Sequence, residues 1–216
     1  MRKKTFAAAV LLAAATMTLS ACGSGTDSAK PATVVAEETS QKPSTVLDQP
    51  FEKPDLVLTD THGKKYDLRK ETAGRPTLLY FGYTHCPDVC PLTMNNLAVA
   101  KKALPKAEQD KLRVVFVTTD PGRDTPAELG KWLNGIDPQF VGLTGDFATI
   151  QAGARSVGIA IEPTKKDKNG KLVSVHGTQV VAFSPKNDSG YVVYDEDAGV
   201  GDYTKDLPKL MKGQNP

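Results

Sequence analysis

Two cysteines held in a strand-to-helix turn constrain this chain more than any other feature. The stretch reads Phe81-Gly82-Tyr83-Thr84-His85-Cys86-Pro87-Asp88-Val89-Cys90-Pro91. Before it, Thr77 to Tyr83 is a near-continuous apolar run, which reads as a strand covered on both faces. After it, Met94, Leu97, Ala98 and Leu104 recur at helical spacing, and Pro105 marks the end. Proline is favoured at the first helical position, so Pro91 places Cys90 near the N-cap. There the positive end of the helix dipole favours a thiolate over a thiol. A second buried strand follows at Val114-Val115-Phe116-Val117. Strand, helix, strand in that order makes a βαβ unit.

The N-terminus has a different character. Arg2-Lys3-Lys4 precede an apolar run from Phe6 to Leu19 that is too short for a comfortable membrane span. This is the layout of a secretory signal. Leu19-Ser20-Ala21-Cys22 matches the bacterial lipobox. Residues 1–21 are therefore read as a lipoprotein signal peptide and Cys22 as the lipid attachment site. The expected location is the outer, extracytoplasmic face of a bacterial cell membrane, held by the lipid anchor. Of three cysteines, this leaves Cys86 and Cys90 as a lone pair. In an oxidising compartment such a pair forms a disulfide, but the loop it closes is too short to stabilise the fold much. The formal net charge is +2, with acids and bases mixed along the chain, so no nucleic-acid surface is indicated.

Residues 22–50 are rich in Ser, Thr, Ala, Lys, Glu and Pro and read as a flexible tether. Its r.m.s. span would be roughly 30 Å. The globular domain is expected over 51–216. Leu56–Thr59 and Lys65–Leu68 flank a Gly63 turn and predict an N-terminal β-hairpin, with His62 as a solvated turn residue. Thr125, Pro126 and Glu128 predict a capped helix start, and Asn134-Gly135 its stop. Asp120 and Arg123 are not needed for that cap. They sit at the C-terminal end of a central strand, where α/β sheets place ligands; turn chemistry alone also accounts for Asp120-Pro121-Gly122. A helix is predicted from Asp146 to Val157. A hairpin is predicted around Asn169-Gly170, and buried strands at Val180–Phe183 and Tyr191–Tyr194. A last helix carries Leu207, Leu210 and Met211.

Two thiols plus one accessible histidine leave few chemistries open. Two thiolates and an imidazole suit Cu(I) and can hold Cu(II). The same pair can run thiol–disulfide exchange. Zinc fits less well, because structural zinc sites take four protein ligands and no general base is paired with this set. The histidine is His176. In a thioredoxin-like fold the loop before the third core strand faces the cysteine turn and usually carries an X-Pro pair. This chain has His176-Gly177-Thr178 there and no proline, which favours ligation over generic exchange. His85 is the rival ligand, but it adjoins Cys86 and points away from a shared metal. A peroxidase would require Thr84 and Arg123 to activate peroxide around one cysteine, which this arrangement does not favour.

The cysteine turn, the Asp120-Pro121-Gly122-Arg123-Asp124-Thr125-Pro126 segment and downstream His176 together resemble the Sco/SenC family. The likeness runs from about Phe51 to the C-terminus and is nearest to the lipoprotein members of Gram-positive bacteria. It implies an α/β, thioredoxin-like fold: a central mixed sheet flanked by helices, with an N-terminal β-hairpin and an inserted hairpin. It implies copper, Cu(I) or Cu(II), held by Cys86, Cys90 and His176. It implies a copper chaperone, loaded by an upstream copper donor, that serves the CuA-bearing subunit of cytochrome c oxidase; no large unpaired apolar pattern demands a dimer, so a monomer is expected. The alternative function is enzymatic: a membrane-anchored thiol–disulfide reductase that keeps the CuA-site cysteines reduced, with Cys86 and Cys90 as the redox pair and Cys86, the more exposed, attacking.

Overall fold

A computed structural model describes residues 43–216 of the chain. The expected signal segment, Cys22 and the first part of the tether lie outside these residues. In chain order the elements are β1 (Ser44–Glu52), β2 (Val57–Asp60), β3 (Lys65–Asp67), α1 (Leu68–Glu71), β4 (Thr77–Gly82), α2 (Val89–Lys102), α3 (Lys106–Gln109) and β5 (Arg113–Thr118). There follow α4 (Pro126–Asn134), β6 (Val141–Thr144), α5 (Phe147–Ser156), β7 (Lys165–Lys166), β8 (Leu172–Val173), β9 (Val180–Phe183), β10 (Ser189–Tyr194) and α6 (Val200–Leu210).

Eight strands form one sheet in the order β1-β10-β9-β4-β5-β6-β2-β3. β4, β5 and β6 run parallel, β9 pairs antiparallel with β4, and β10 pairs antiparallel with β9. Parallel strands are normally covered on both faces, and alternation along each strand shows that cover here. Leu78 and Tyr80 of β4 and Val114 and Phe116 of β5 face a core with Met94, Leu97, Leu129 and Leu207. Leu79 and Phe81 of β4 and Val115 and Val117 of β5 face a second core with Leu68, Ile150 and Ala154. The period-2 alternation of strand side chains thus serves two layers of helix. The βαβ unit β4-α2-β5, followed by the antiparallel pair β9-β10 and a closing helix α6, is the thioredoxin-like arrangement. β2 and β3 form the expected N-terminal hairpin.

Local signals explain the helix ends near the site. Thr125 Oγ1 accepts the Glu128 N–H at 3.3 Å, and Pro126 opens α4. Asp146 Oδ2 accepts the Thr149 N–H at 2.9 Å at the head of α5, and Gly158, at φ +74°, follows its end.

One boundary differs from the sequence expectation. Residues 44–50, read there as tether, belong to β1, so the sheet begins seven residues before Phe51. β1 pairs antiparallel with β10, from Ser44 opposite Tyr194 to Glu52 opposite Ser189, with a break in register between Val46 and Phe51. Its residues are mostly exposed, and Phe51 alone packs on the second core. Backbone pairing along an open sheet edge, not burial of a hydrophobic face, holds this strand in place.

The charged stretch after Ile161 forms the inserted hairpin β7-β8. Asp167 Oδ1 accepts the N–H groups of Asn169 and Lys171 at 2.8 and 2.9 Å, and Gly170 takes φ +77°. At the base of this hairpin His176 bridges Ile161. The hairpin therefore delivers His176 to the end of the sheet where β4 leaves for α2.

Candidate metal centre

The cysteine turn is built from both of its ends. β4 closes at Gly82, where an added Cβ would lie 2.7 Å from the Tyr80 ring and 2.9 Å from Cys90 Sγ. Only glycine allows that close approach. The chain then turns, with the Cys86 N–H donating to the Tyr83 carbonyl at 3.2 Å. Helix α2 begins at Val89, with Asp88 at the N-cap and no side chain of its own capping it.

Here the structure corrects the assignment of the thiolate. Cys90 lies inside the first helical turn and is buried, while Pro91 is the third helical residue and not the first. Cys86, half-buried, offers the exposed sulfur. Its Sγ accepts the Cys90 N–H at 3.4 Å and so occupies the position of a helix-capping acceptor. Hydrogen bonding from the Cys90 thiol, aided by the N–H groups of Cys90 and Asp88 and by His176, brings the Cys86 thiol down to about 5 against the opposing effect of burial. The same sharing, with burial, pushes the Cys90 thiol well up. One proton thus serves the pair and resides on the inner sulfur. Tyr80 adds a hydrogen bond from its hydroxyl to Cys90 Sγ at 3.5 Å.

His176 completes the group. Its Nδ1 lies 2.8 Å from the Gly177 carbonyl. A carbonyl only accepts, so Nδ1 donates this bond, and Nε2 is the ring nitrogen turned toward the sulfurs. Nε2 stands 3.6 Å from Cys90 Sγ. Tyr83 and Tyr80 meet the imidazole edge-on, at 5.4 and 6.3 Å between ring centroids, and fix its plane. The two sulfurs and one imidazole nitrogen all lie within 4.8 Å of one another, so one ion could take all three as ligands.

The other candidates fall outside this group. His85 is exposed, with Nδ1 3.1 Å from Thr84 Oγ1 and 3.6 Å from Asp124 Oδ1. The Arg123 Nε donates to buried Asp120, and the guanidinium lies 6.0 Å from the Tyr83 ring centroid. This pair backs Tyr83, which in turn backs His176. Thr84 is engaged by Asp124, so neither it nor Arg123 is set to activate peroxide at a cysteine. His62 lies in the β2-β3 turn, away from the group. Tyr80 and Tyr83 were not singled out in the sequence as site residues. Their position at the end of β4 and just after it, directly before the cysteines, is the signal that could have identified them.

The SCO1/SenC family model matches residues 43–212. The chain belongs to the SCO1/SenC family. Solved structures of Sco proteins resemble this SCO1/SenC chain across most of the described residues. ScoI of Bradyrhizobium japonicum with copper bound shares 30% identity at TM-score 0.63, over 75% of this chain and 98% of that one. Apo Sco1 of Thermus thermophilus shares 28% identity at TM-score 0.68, over 78% and 96%. A SCO2-like protein of Rickettsia felis is 41% identical over 97 residues, 45% of this chain and 46% of the relative. Matches to other curated relatives cover 34% to 60% of their length.

Proposed function

We propose that this domain carries one copper ion on Cys86, Cys90 and His176 and passes it to the CuA site of cytochrome c oxidase. The observation that carries the reading is the convergence of two sulfurs and an imidazole nitrogen within 4.8 Å. Two soft sulfurs and one imidazole are a donor set for copper. The copper-bound ScoI of B. japonicum, of the same fold at 30% identity, supports the choice of metal.

The protonation pattern sets the loading step. Cys86 is ready as a thiolate, and His176 presents Nε2. Cys90 must release its proton as its sulfur takes up the metal. Three ligands leave room for an incoming thiolate of the acceptor, so copper moves by ligand exchange without being free. Joining Cys86 and Cys90 in a disulfide passes two electrons to a partner disulfide, which becomes a dithiol by taking the Cys90 proton and one more from water. The oxidised pair no longer offers two thiolates, so redox state gates loading.

The deciding experiment is a Cu(I) titration of the reduced chain in a Cys22→Ser background. One ion per chain is expected, lost on oxidation and lost in Cys86→Ser and Cys90→Ser. Unchanged binding in either variant would overturn the proposal.

A second reading is a thiol–disulfide reductase acting on the same oxidase cysteines. The asymmetry of the pair favours it: an exposed thiolate in front and a buried thiol behind are an attacking and a resolving cysteine. His176→Ala separates the two readings, because exchange does not need the imidazole. In either case the chain works as a monomer at the outer face of a bacterial membrane, anchored through lipid on Cys22; the copper carrier is in addition loaded by an upstream copper donor. Mass spectrometry of the N-terminal peptide checks the lipid. No helix among the described residues is long and apolar enough to cross a membrane.

A further inference from the structure

The two halves of the site are bolted to a single strand end by residues that are not ligand candidates. Thr118 closes β5 and Thr119 follows it. The Thr118 hydroxyl donates to Asp124 Oδ2 at 2.6 Å. Asp124, fully buried, also accepts the Thr84 N–H at 3.0 Å and the Thr84 hydroxyl at 2.6 Å. Thr84 stands two residues before Cys86. The next side chain, Thr119, shares a buried hydrogen bond with the Ser174 hydroxyl at 3.2 Å. Ser174 stands two residues before His176. Consecutive threonines thus reach one to the cysteine turn and the other to the histidine loop.

The histidine arm is the thinner of the two. Backbone bonds from Glu162 N–H to the Val175 carbonyl (2.9 Å) and from Gly177 N–H to the Ala160 carbonyl (2.8 Å) tie the hairpin to itself. Among the described residues, Thr119–Ser174 is the only side-chain hydrogen bond from residues 162–175 to anything outside that stretch. The geometry points to Thr119 and Ser174 as positioning residues for His176: their shared hydrogen bond sets the imidazole against the cysteine sulfurs without touching the metal. The inference rests on the three-ligand reading and adds what holds the third ligand in place. A ligand on an unpinned loop loses conformational freedom on binding, and that cost weakens affinity. One buried hydrogen bond that holds the loop contributes roughly 2–10-fold to an equilibrium.

The test uses the full chain in the Cys22→Ser background. Thr119→Val removes the hydroxyl and keeps the branched shape; Ser174→Ala removes the partner; Thr119→Ser keeps a hydroxyl. Three quantities are read: the Cu(I) dissociation constant against a chromophoric chelator, the rate of reaction of the thiols with a small aromatic disulfide, and metal-free amide hydrogen exchange at residues 174–178. Thr119→Val and Ser174→Ala are expected to weaken copper binding about 2–10-fold and to speed exchange at 174–178. Both should leave the disulfide reaction at the wild-type rate, and Thr119→Ser should restore affinity. Unchanged affinity in either folded variant overturns the inference, as does a parallel loss of the disulfide reaction, which would mark general damage to the fold. Unchanged amide exchange at 174–178 overturns it too. If His176→Ala leaves copper binding intact, the three-ligand reading fails, and amide exchange still decides whether Thr119 and Ser174 pin the loop.

Discussion

Nε2 of His176 lies 3.6 Å from Cys90 Sγ, although the two residues are 86 positions apart in the chain. The sulfur comes from the start of a helix and the nitrogen from the base of a hairpin, and the sheet brings the two together. Replacing the imidazole removes a ligand from copper but nothing from the dithiol. His176→Ala should therefore weaken Cu(I) binding by about 100-fold or more, beyond the upper range for outer partners of a ligand. Reaction of the reduced pair with a small disulfide should proceed at nearly the wild-type rate. Competition titration and stopped-flow exchange on the same preparation check both halves.

Cys86 should behave as the one reactive thiol. Its folded value, about 5, lies well below that of an ordinary thiol. Its alkylation rate by iodoacetamide should climb through pH 5 and be level above about pH 6.5, whereas a denatured sample climbs near the free-thiol value of about 8.5. Cys90 should stay unmodified across the range, since burial and its shared proton hold it as the thiol. Peptide mass spectrometry after timed quenching assigns the label. A folded-state midpoint near 8.5, or label on Cys90 first, would contradict the hydrogen-bond pattern.

The same pattern fixes the proton count of loading. At pH 7 Cys86 has already lost its proton, and Cys90 still has one to give up. Calorimetry in buffers of different ionisation enthalpy should report one proton released per copper bound. Affinity should fall as the pH is lowered, and fall more steeply once Cys86 also becomes protonated near pH 5.

The parts of this architecture written in local sequence were legible, and the parts written in long-range contacts were not. The β4 turn, the α4 cap at Thr125 and the stop at Gly158 each rest on residues within a few positions, so their residue types announce them. The thiolate was misassigned because Pro91 looked like the first helical residue. The helix starts two residues earlier, at Val89, and the contact from the Cys90 N–H to Cys86 Sγ decides the charge. Thr119 with Ser174 and Thr84 with Asp124 are 55 and 40 residues apart. Nothing local marks threonines and a serine as partners across a fold. His176 was placed by the expected topology, not by its neighbours in sequence.

Gly82 should tolerate no side chain. A methyl group there meets Cys90 Sγ at 2.9 Å and the Tyr80 ring at 2.7 Å, both in a buried layer. Gly82→Ala should cost about 1–3 kcal/mol of stability, the usual range for overpacking a core. It should also disturb copper binding, because the sulfur that must yield is a ligand candidate. Urea unfolding and the Cu(I) titration measure the two effects.

Strand β1 offers a test of what composition conceals. Its residues carry no alternating apolar pattern, yet from Ser44 to Glu52 it covers the β10 edge of the sheet. A chain shortened to begin at Phe51 would keep Phe51 itself but lose the pairing of Ser44, Thr45 and Val46 with Tyr194, Val193 and Val192. The ladder bonds lost are worth about 0.5–1.5 kcal/mol each, so the shortened chain should be less stable by about 2 kcal/mol relative to one beginning at residue 43. The bared edge of β10 should also promote self-association, since unpaired strand edges recruit other strands. Urea midpoints and sedimentation of the two lengths measure this. Equal stability and equal solubility would mean that residues 44–50 act as tether after all.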